Sequence, residues 1–246
     1  MEIKTILTGF IILVVFIVLY RFFFVDPTAS ELLSLAAANQ AIDQIDSTKL
    51  GGNANSVDFS YSFWIYVKDW NTKLGMKKVI IRRKGIDTSV APEIYLDKNT
   101  NDLKIDMSVY SETTGSGSSS NTTIQSCVVK NIPLQKWTHI IVTTNNRALD
   151  TYIDGKLVKT CILTGNIALK GSSPVDICPN NGSSSENGYD GYIAKVRYFS
   201  RTLNPREVYE IYKQGYSGSL FGTLLNKYRL RLSYIKDNQE VGALEI

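Results

Sequence analysis

The sequence predicts a mainly β protein: an antiparallel β-sandwich with an N-terminal transmembrane helix and one short helix near the C-terminus. Three observations support this prediction. One long apolar run occupies residues 5–25, and the chain after it consists of short segments in which apolar and polar residues alternate between polar turns. A single later segment, around residues 204–215, repeats its apolar residues at helical spacing instead. Many short alternating strands with few helices are typical of sandwich folds.

The apolar run at residues 5–25 is long enough to cross a bilayer. At the helical rise of about 1.5 Å per residue it extends about 31 Å, and its one charged residue, Arg21, lies near its end, where it can reach the headgroups. A cleaved secretory signal is the alternative, but such signals have shorter apolar regions, and the nearest cleavage-like pattern, residues 36–38, lies well beyond the run. We therefore expect residues 1–25 to be an uncleaved single-pass anchor, with the lipid bilayer as the partner of residues 5–25.

The composition of the remaining chain excludes several classes of function. The net charge of +4 over 246 residues is modest, and no motif combines basic with aromatic residues, so we expect no nucleic-acid partner. One histidine and the lack of a Cys-x-x-Cys motif argue against structural zinc, and we expect no metal and no cofactor. Two thiol states stay open: a disulfide, with Cys127 and Cys161 as the preferred pair, or three reduced cysteines that include Cys178.

Residues 26–50 are predicted to form a helical stalk or linker. Thr28 or Ser30 can cap a helix after Pro27, and apolar residues then recur at helical spacing, at Leu32, Leu35, Ala38, Ile42 and Ile45. The glycines and asparagine at residues 51–53 end this pattern. We expect this stalk to pack on the domain or on a neighbour.

Residues 51–216 change to a period of two and are predicted to form the sandwich. The clearest hairpin signal is Asp154-Gly155 between two β-rich runs, and a second hairpin is predicted across the polar turn at residues 98–102. The strands are predicted at 59–67, 77–83, 93–97, 103–107, 137–143, 149–153, 156–163 and 191–199.

One helix and one further strand complete the prediction. Asn204 caps the helix, Pro205 lies in its first turn, Glu207 completes a capping box and Gly215 ends it. The C-terminal extension, residues 217–246, contains an alternating strand at 228–234 with Arg229 and Arg231 on its solvent face.

Four segments in a fixed order resemble a known family. They read FSYSFWIYV at 59–67, KWTHIIVT at 136–143, LDTYIDGK at 149–156 and GYIAKVRYFSRTLNPREVYEIY at 191–212. Their order and spacing resemble the concanavalin A-like lectin/glucanase superfamily, in its laminin-G-like jelly-roll branch. Combined with the N-terminal anchor and with DWN at 69–71, NIPLQKW at 131–137 and CIL at 161–163, they are similar to a membrane-anchored subgroup encoded by large DNA viruses, whose members are regarded as virion or membrane components.

The resemblance supplies two functional templates, and neither maps onto this chain. Glucanase members carry catalytic carboxylates on alternate positions of one strand, and no such run is present; Glu93 and Asp97 come nearest. Laminin-G members bind calcium through loop oxygens, for which Asp190 is the one candidate here. We therefore expect no catalytic and no metal-binding residues.

Candidate partner contacts follow from exposed aromatic and basic positions. Trp70 lies in a predicted strand-ending turn, whereas Trp137 has the spacing of a core residue, and His139 is expected to face outward or to bond within the sheet. The basic positions are Lys77, Lys78, Arg82, Arg83, Arg229 and Arg231. The first four, together with Lys84, can meet anionic lipid or an acidic partner protein, or they can form a solvated rim that blocks aggregation.

These features give one main functional hypothesis and two alternatives. The main hypothesis is a non-enzymatic single-pass membrane protein whose sandwich binds a protein or glycan partner, as a minor structural component of a large DNA virus particle linking internal membrane and capsid. The first alternative is a cell-surface lectin that contacts carbohydrate through Trp70 and Tyr189. The second is an enzyme acting on polysaccharide through Glu93. The sequons at Asn121 and Asn181 matter if the domain enters the secretory lumen.

Overall fold

A computed structural model describes residues 3–24, 26–53, 56–85, 89–110, 122–169, 173–180, 188–216, 231–236 and 239–245. The helices are α1 (Ile3–Phe24) and α2 (Pro205–Lys213). The strands are β1 (Ala29–Ala37), β2 (Ser60–Asp69), β3 (Lys78–Lys84), β4 (Val90–Leu96), β5 (Leu103–Tyr110), β6 (Thr122–Val129), β7 (Thr138–Asn145), β8 (Ala148–Ile153), β9 (Lys156–Ile162), β10 (Val175–Ile177), β11 (Asp190–Phe199), β12 (Arg231–Lys236) and β13 (Gln239–Glu245).

Two antiparallel sheets pack face to face and confirm the predicted sandwich. The six-stranded sheet has the order β1-β11-β2-β7-β8-β9, and the five-stranded sheet has the order β10-β3-β4-β5-β6. The odd-numbered residues of β2 point inward, as its alternation predicts, and Phe63 and Ile65 are fully buried among side chains of both sheets. The Asp154-Gly155 turn joins β8 to β9, with both residues at positive φ, as a tight hairpin requires.

Helix α2 begins as the sequence predicts and covers one part of the six-stranded sheet. The Asn204 side chain accepts a hydrogen bond from the Glu207 amide, and the Glu207 carboxylate accepts one from the Asn204 amide. Val208 is fully buried against Ile141 and Phe199 on the outer face of the sheet.

The N-terminal segment forms α1. Taken over the described residues, no helix has the length and apolar character that crossing a membrane requires. The anchor expected in residues 1–25 therefore stays a prediction.

The helical stalk predicted for residues 26–50 is wrong. Residues 29–37 form β1, an edge strand that pairs antiparallel with β11 from Ala29↔Phe199 to Ala37↔Tyr192. A bulge between Glu31 and Leu33 turns both Leu32 and Leu33 toward the core, so the apolar residues do not alternate and their spacing imitates a helix. Pairing with β11 overrides the local preference, and the sandwich begins before residue 51.

The remainder of the supposed stalk also belongs to the sandwich. Ile45 exchanges two backbone hydrogen bonds with Val175 at 2.9 and 2.8 Å, and both side chains are buried. A short 3-10 turn at Ser47–Lys49 then brings Leu50 into the core. This segment therefore pairs with β10, the edge strand of the five-stranded sheet.

On the opposite side of the sandwich, a disulfide joins the two sheets. Cys127 of β6 and Cys161 of β9 are bonded, with their Cα atoms 6.0 Å apart, and each lies on the edge strand of its sheet. The side chain of Gln125 adds two hydrogen bonds to Thr164 across the same gap. Cys178 is a buried free thiol.

The C-terminal extension contains a two-stranded sheet of β12 and β13. The strand predicted at 228–234 is described from Arg231, and Arg229 lies outside the described residues. The sequons at Asn121 and Asn181 lie outside them as well.

Candidate functional site

A cleft of about 520 Å³ lies at the end of the sandwich where β2 terminates. Three segments form it: the turn after β2, the β4–β5 hairpin and the β6–β7 connection. Its lining, called the Trp70 cleft below, consists of Trp70, Asn99, Thr100, Asn101, Asp102, Lys130, Asn131 and Leu134. Volumes of about 300–1,000 Å³ are typical of small-ligand sites.

Hydrogen bonds within the two loops hold the cleft open. Asp102 accepts bonds from the Thr100 hydroxyl (3.0 Å) and from the Asn131 amide (3.0 Å), which joins the hairpin to the opposite loop. Asn101 completes the join, because its side-chain amide donates to the carbonyl oxygen of Ile132 at 3.1 Å. The Asp102 carboxylate is thus occupied in ordering the walls of the cleft.

Trp70 is held in place by a buried lysine. The Lys78 Nζ lies 4.3 Å from the centroid of the Trp70 ring and donates a hydrogen bond to the Lys73 carbonyl oxygen at 3.1 Å. Burial lowers the pKa of Lys78, and the electron-rich ring face stabilises its ammonium group. Trp70 therefore forms a fixed apolar wall of the cleft.

The chemistry of the cleft suits binding by hydrogen bonds and stacking. The exposed amides of Asn99 and Asn131 and the hydroxyl of Thr100 lie near one aromatic ring. Asp97, at the base of the hairpin, has its pKa lowered to about 2, chiefly by a hydrogen bond from Lys104, and so stays charged. Among the described residues, no three His, Cys, Asp or Glu side chains are grouped to hold a metal ion.

The carboxylates nearest to the glucanase pattern lie in ion pairs. Glu93 contacts Lys77 at 2.5 Å and Arg82 at 3.9 Å, and Asp106 on the neighbouring strand contacts the same Lys77 at 3.4 Å. Asp97 pairs with Lys104 at 2.6 Å. These acids are matched by cations, an arrangement that stabilises a sheet surface.

The basic residues predicted to contact a partner do not form one surface. Lys78 and Arg83 are wholly buried, so neither is a partner contact or part of a solvated rim. Arg83 lies in the interior, where its Nε donates to the Ser173 carbonyl oxygen at 3.2 Å. Lys77 and Arg82 form ion pairs with carboxylates. Of Arg231, only the backbone is described. β3 does not alternate regularly, because its pairing with β4 shifts register between Val79 and Ile81 and again between Arg82 and Lys84.

A second surface, which the sequence patterns did not predict, lies on the outer face of the six-stranded sheet. A depression of about 460 Å³ is lined by Leu35, Tyr66, Lys68, Trp137 and Tyr192, called the aromatic patch below. Trp137 is half-buried here and not in the core, and its ring stacks at 4.5 Å and 9° on that of Tyr216. The signal in the sequence was the aromatic pair at the even positions of β2, Trp64 and Tyr66, which a strand with one polar face would not carry.

The prediction that Tyr189 contacts a glycan is wrong. Its side chain is fully buried, and its hydroxyl donates to the Tyr192 carbonyl oxygen at 2.8 Å. Asp190, the calcium candidate, is paired with Asp69 in the register of β11 and β2.

His139 is buried beneath α2. Its ring lies 4.8 Å from that of Trp64 and 5.9 Å from that of Tyr212, and its Nε2 is 2.9 Å from the Ser62 hydroxyl. Burial lowers the pKa of His139 to about 3, so the folded protein holds it neutral. The bond to Ser62 agrees with the expected bond within the sheet.

The burial of His139 predicts that this one side chain makes the stability of the fold sensitive to acid. Since His139 is the one histidine in the chain and ionises with a pKa of about 6.5 when unfolded, the unfolded state takes up a proton that the folded state does not. Stability is therefore lost as pH falls below about 6.5, by about 2 kcal/mol between pH 7 and pH 5. Urea unfolding at both pH values measures it. His139→Gln, which keeps a partner for Ser62, should abolish the difference; an unchanged difference would contradict the assignment.

The model of the concanavalin A-like lectin/glucanases superfamily, in a laminin-G form, matches residues 40–209. The chain belongs to the concanavalin A-like lectin/glucanase superfamily. It carries a laminin-G-like, lectin-type domain, and the match begins before residue 51, in agreement with the corrected boundary of the sandwich.

One receptor and two solved toxin domains are similar to this chain at low sequence identity. Adhesion G-protein coupled receptor V1 of Danio rerio is 24% identical over 156 residues, which cover 60% of this chain but 2% of the receptor. The receptor binding domain of botulinum neurotoxin D has a TM-score of 0.54 at 15% identity, covering 75% of this chain and 45% of that one. The serotype G binding domain gives 0.53 at 16% identity, with 73% and 46% covered. At such identities these two structures show the shared fold alone.

Proposed function

We propose that this protein is a non-enzymatic, single-pass membrane protein whose sandwich binds a partner through the Trp70 cleft. The observation that carries the proposal is the position of the cleft relative to the point where the chain enters the sandwich. β1 begins at Ala29, which pairs with Phe199 of β11, and Phe199 pairs with Ser60 at the start of β2. Trp70 follows the far end of β2, so the cleft and the entry of the chain lie at opposite ends.

Because the tether and the ligand cleft lie at opposite ends of the head, the anchor leaves the cleft open to a partner. Strand β2 extends about 30 Å between those ends, at about 3.3 Å per residue. We propose that residues 5–25 hold the first end at a bilayer, because their apolar length matches the hydrocarbon core. The ion pairs of Glu93 with Lys77 and of Asp97 with Lys104 support a binding rather than a hydrolytic role, since each acid is engaged by a neighbouring cation.

The partner in this proposal is a structural protein of a virus particle. The resemblance of the anchored architecture to proteins of large DNA viruses supports a minor virion component that links an internal membrane to the capsid. Purified particles, extracted with and without detergent, provide the first test, and absence of the chain from particles would remove the viral role.

Site-directed photo-crosslinking tests the cleft itself. A photoreactive amino acid replaces Leu134, which lies in the cleft and is 38% exposed, or Leu157 of β9, which is 53% exposed and serves as the matched control. We expect one dominant covalent partner from position 134 and none from position 157, because Leu134 lines the cleft and Leu157 lies outside it on β9. Equal labelling at both positions, or none at 134, would show that partners bind elsewhere.

Carbohydrate is the second candidate ligand, and the lining of the cleft favours it. Exposed amides and a hydroxyl beside an aromatic wall match the hydroxyl groups and apolar faces of sugars.

A glycan array probed with the full chain in detergent separates the two candidates. If the ligand is a glycan, Asn99→Ala should weaken binding about tenfold, equivalent to roughly 1.4 kcal/mol, and Trp70→Ala should weaken it more. The control is Leu157→Ala, which should bind as the wild type does. Failure of the wild type to bind any glycan would leave the protein-binding proposal in place and reject the lectin.

A further inference from the structure

The aromatic patch is an exposed apolar surface with one cationic edge. Leu35 is 61% exposed and Tyr192 is 46% exposed, although both lie on paired strands of a sheet. The ring of Tyr66 lies 5.7 Å from that of Trp137 and 6.4 Å from that of Tyr192, each inclined by about 50°, so the three rings form a shallow trough. A sheet surface of this kind is normally covered.

The charge of the patch comes from Lys68. Its ammonium group is exposed, and within the described residues no carboxylate forms an ion pair with it. Glu31, the acid of β1, lies toward the other end of the sheet, opposite Arg197 in the register, and is matched by Lys195 at 3.4 Å. Tryptophan, tyrosine and lysine beside an aliphatic side chain are the residue types that concentrate where a protein meets the headgroup region of a bilayer.

The chain connection restricts how far the sandwich can stand from the end of α1. Asp26 is already attached to the sandwich, because its carboxylate contacts Arg201 at 2.8 Å and accepts a hydrogen bond from the Thr28 amide at 2.9 Å. α1 ends at Phe24, two residues earlier, and two residues span at most about 7 Å. If α1 lies in a bilayer, the sandwich must rest at its surface.

We propose that the aromatic patch docks the outer face of the six-stranded sheet onto the surface of the bilayer that holds α1. This inference rests on the proposed anchor. The short connection keeps the patch at a high effective concentration over the lipid, so a weak interfacial affinity is enough. The patch lies at the same end of β2 as the Trp70 cleft, so docking lays the sandwich on its side. Of the three segments that form the cleft, the β4–β5 hairpin belongs to the five-stranded sheet, which then faces away from the membrane, and the other two connect the two sheets.

Tryptophan fluorescence of the full chain in nanodiscs tests the docking. All three tryptophans lie in or beside the sandwich, at Trp64, Trp70 and Trp137, and α1 contains none. Nanodiscs are prepared from phosphatidylcholine and phosphatidylserine with brominated or ordinary acyl chains, because bromine quenches only tryptophans that contact the lipid. We expect quenching of the wild type, and loss of most of it in Trp137→Phe but not in Trp70→Phe.

A matched pair of variants assigns the quenching to the patch. Leu35→Ser with Tyr192→Ser removes apolar groups from the patch, and Leu157→Ser with Ile162→Ser removes exposed apolar groups from β9. The first pair should lose quenching and the second should keep it. Quenching equal in both pairs, or absent from the wild type, overturns the docking, and dimerisation through the patch without quenching does so as well. Co-elution with the nanodisc is scored separately; a chain that does not co-elute refutes the anchor and the docking together.

Discussion

A chain that begins at residue 51 is expected to fold far less stably than one that begins at residue 26. The shorter chain loses β1, which pairs along β11, and leaves the edge of β11 without a partner. It also loses the buried side chains of Ile45 and Leu50 and the partly buried Leu32 and Leu33. Full burial of an aliphatic side chain contributes about 1.5–3 kcal/mol, so the loss is roughly 6 kcal/mol or more.

Such a loss is comparable to the whole stability of an ordinary domain, about 5–15 kcal/mol. We expect the chain from residue 51 to aggregate or to unfold at low urea, whereas the chain from residue 26 keeps a cooperative transition. Circular dichroism during urea titration compares the two. Matching midpoints would contradict the role of β1 and would restore residues 26–50 as a dispensable linker.

Removal of the disulfide is expected to have the second-largest effect. The bond between Cys127 and Cys161 closes a loop with a sequence separation of 34, for which the chain-entropy relation gives about 4 kcal/mol. For a domain of this size, a loss of about 4 kcal/mol lowers Tm by roughly 8–16 °C. Cys127→Ala with Cys161→Ala should show this shift in a thermal melt.

Chemical reduction provides the control for that measurement. Dithiothreitol should lower the Tm of the wild type toward that of the double variant and leave the variant itself unchanged. A wild type that does not respond to reduction while the variant is destabilised would point to lost packing at Cys127, which is buried, and not to the covalent link.

Local signals predicted much of the sandwich. Alternation located β2 and β7, Asp154-Gly155 located the β8–β9 turn, and the capping box located the start of α2, because each depends on neighbouring residues alone. β1 could not be predicted this way. Its pairing partner lies more than 150 residues away, and the bulge at Glu31 hides its period.

The same limit applies to the site. Trp70 could be placed in a turn from its neighbours, but the cleft needs Asp102 and Asn131, which two separate loops bring together. The burial of Lys78 and Arg83 depends on what β3 packs against, which their charge does not reveal. The aromatic patch joins residues from β1, β2 and β11, so it exists only in the folded sheet.

The direction of β1 determines how the sandwich bears a mechanical load. Force applied between α1 and a partner at the opposite end acts along the axis of β1, from Ala29 toward Ala37. The backbone hydrogen bonds to β11 lie across that axis and are strained together in shear, whereas peeling would open them one at a time. A pulled molecule should therefore yield at higher force from this end than when β9 is drawn sideways from its sheet.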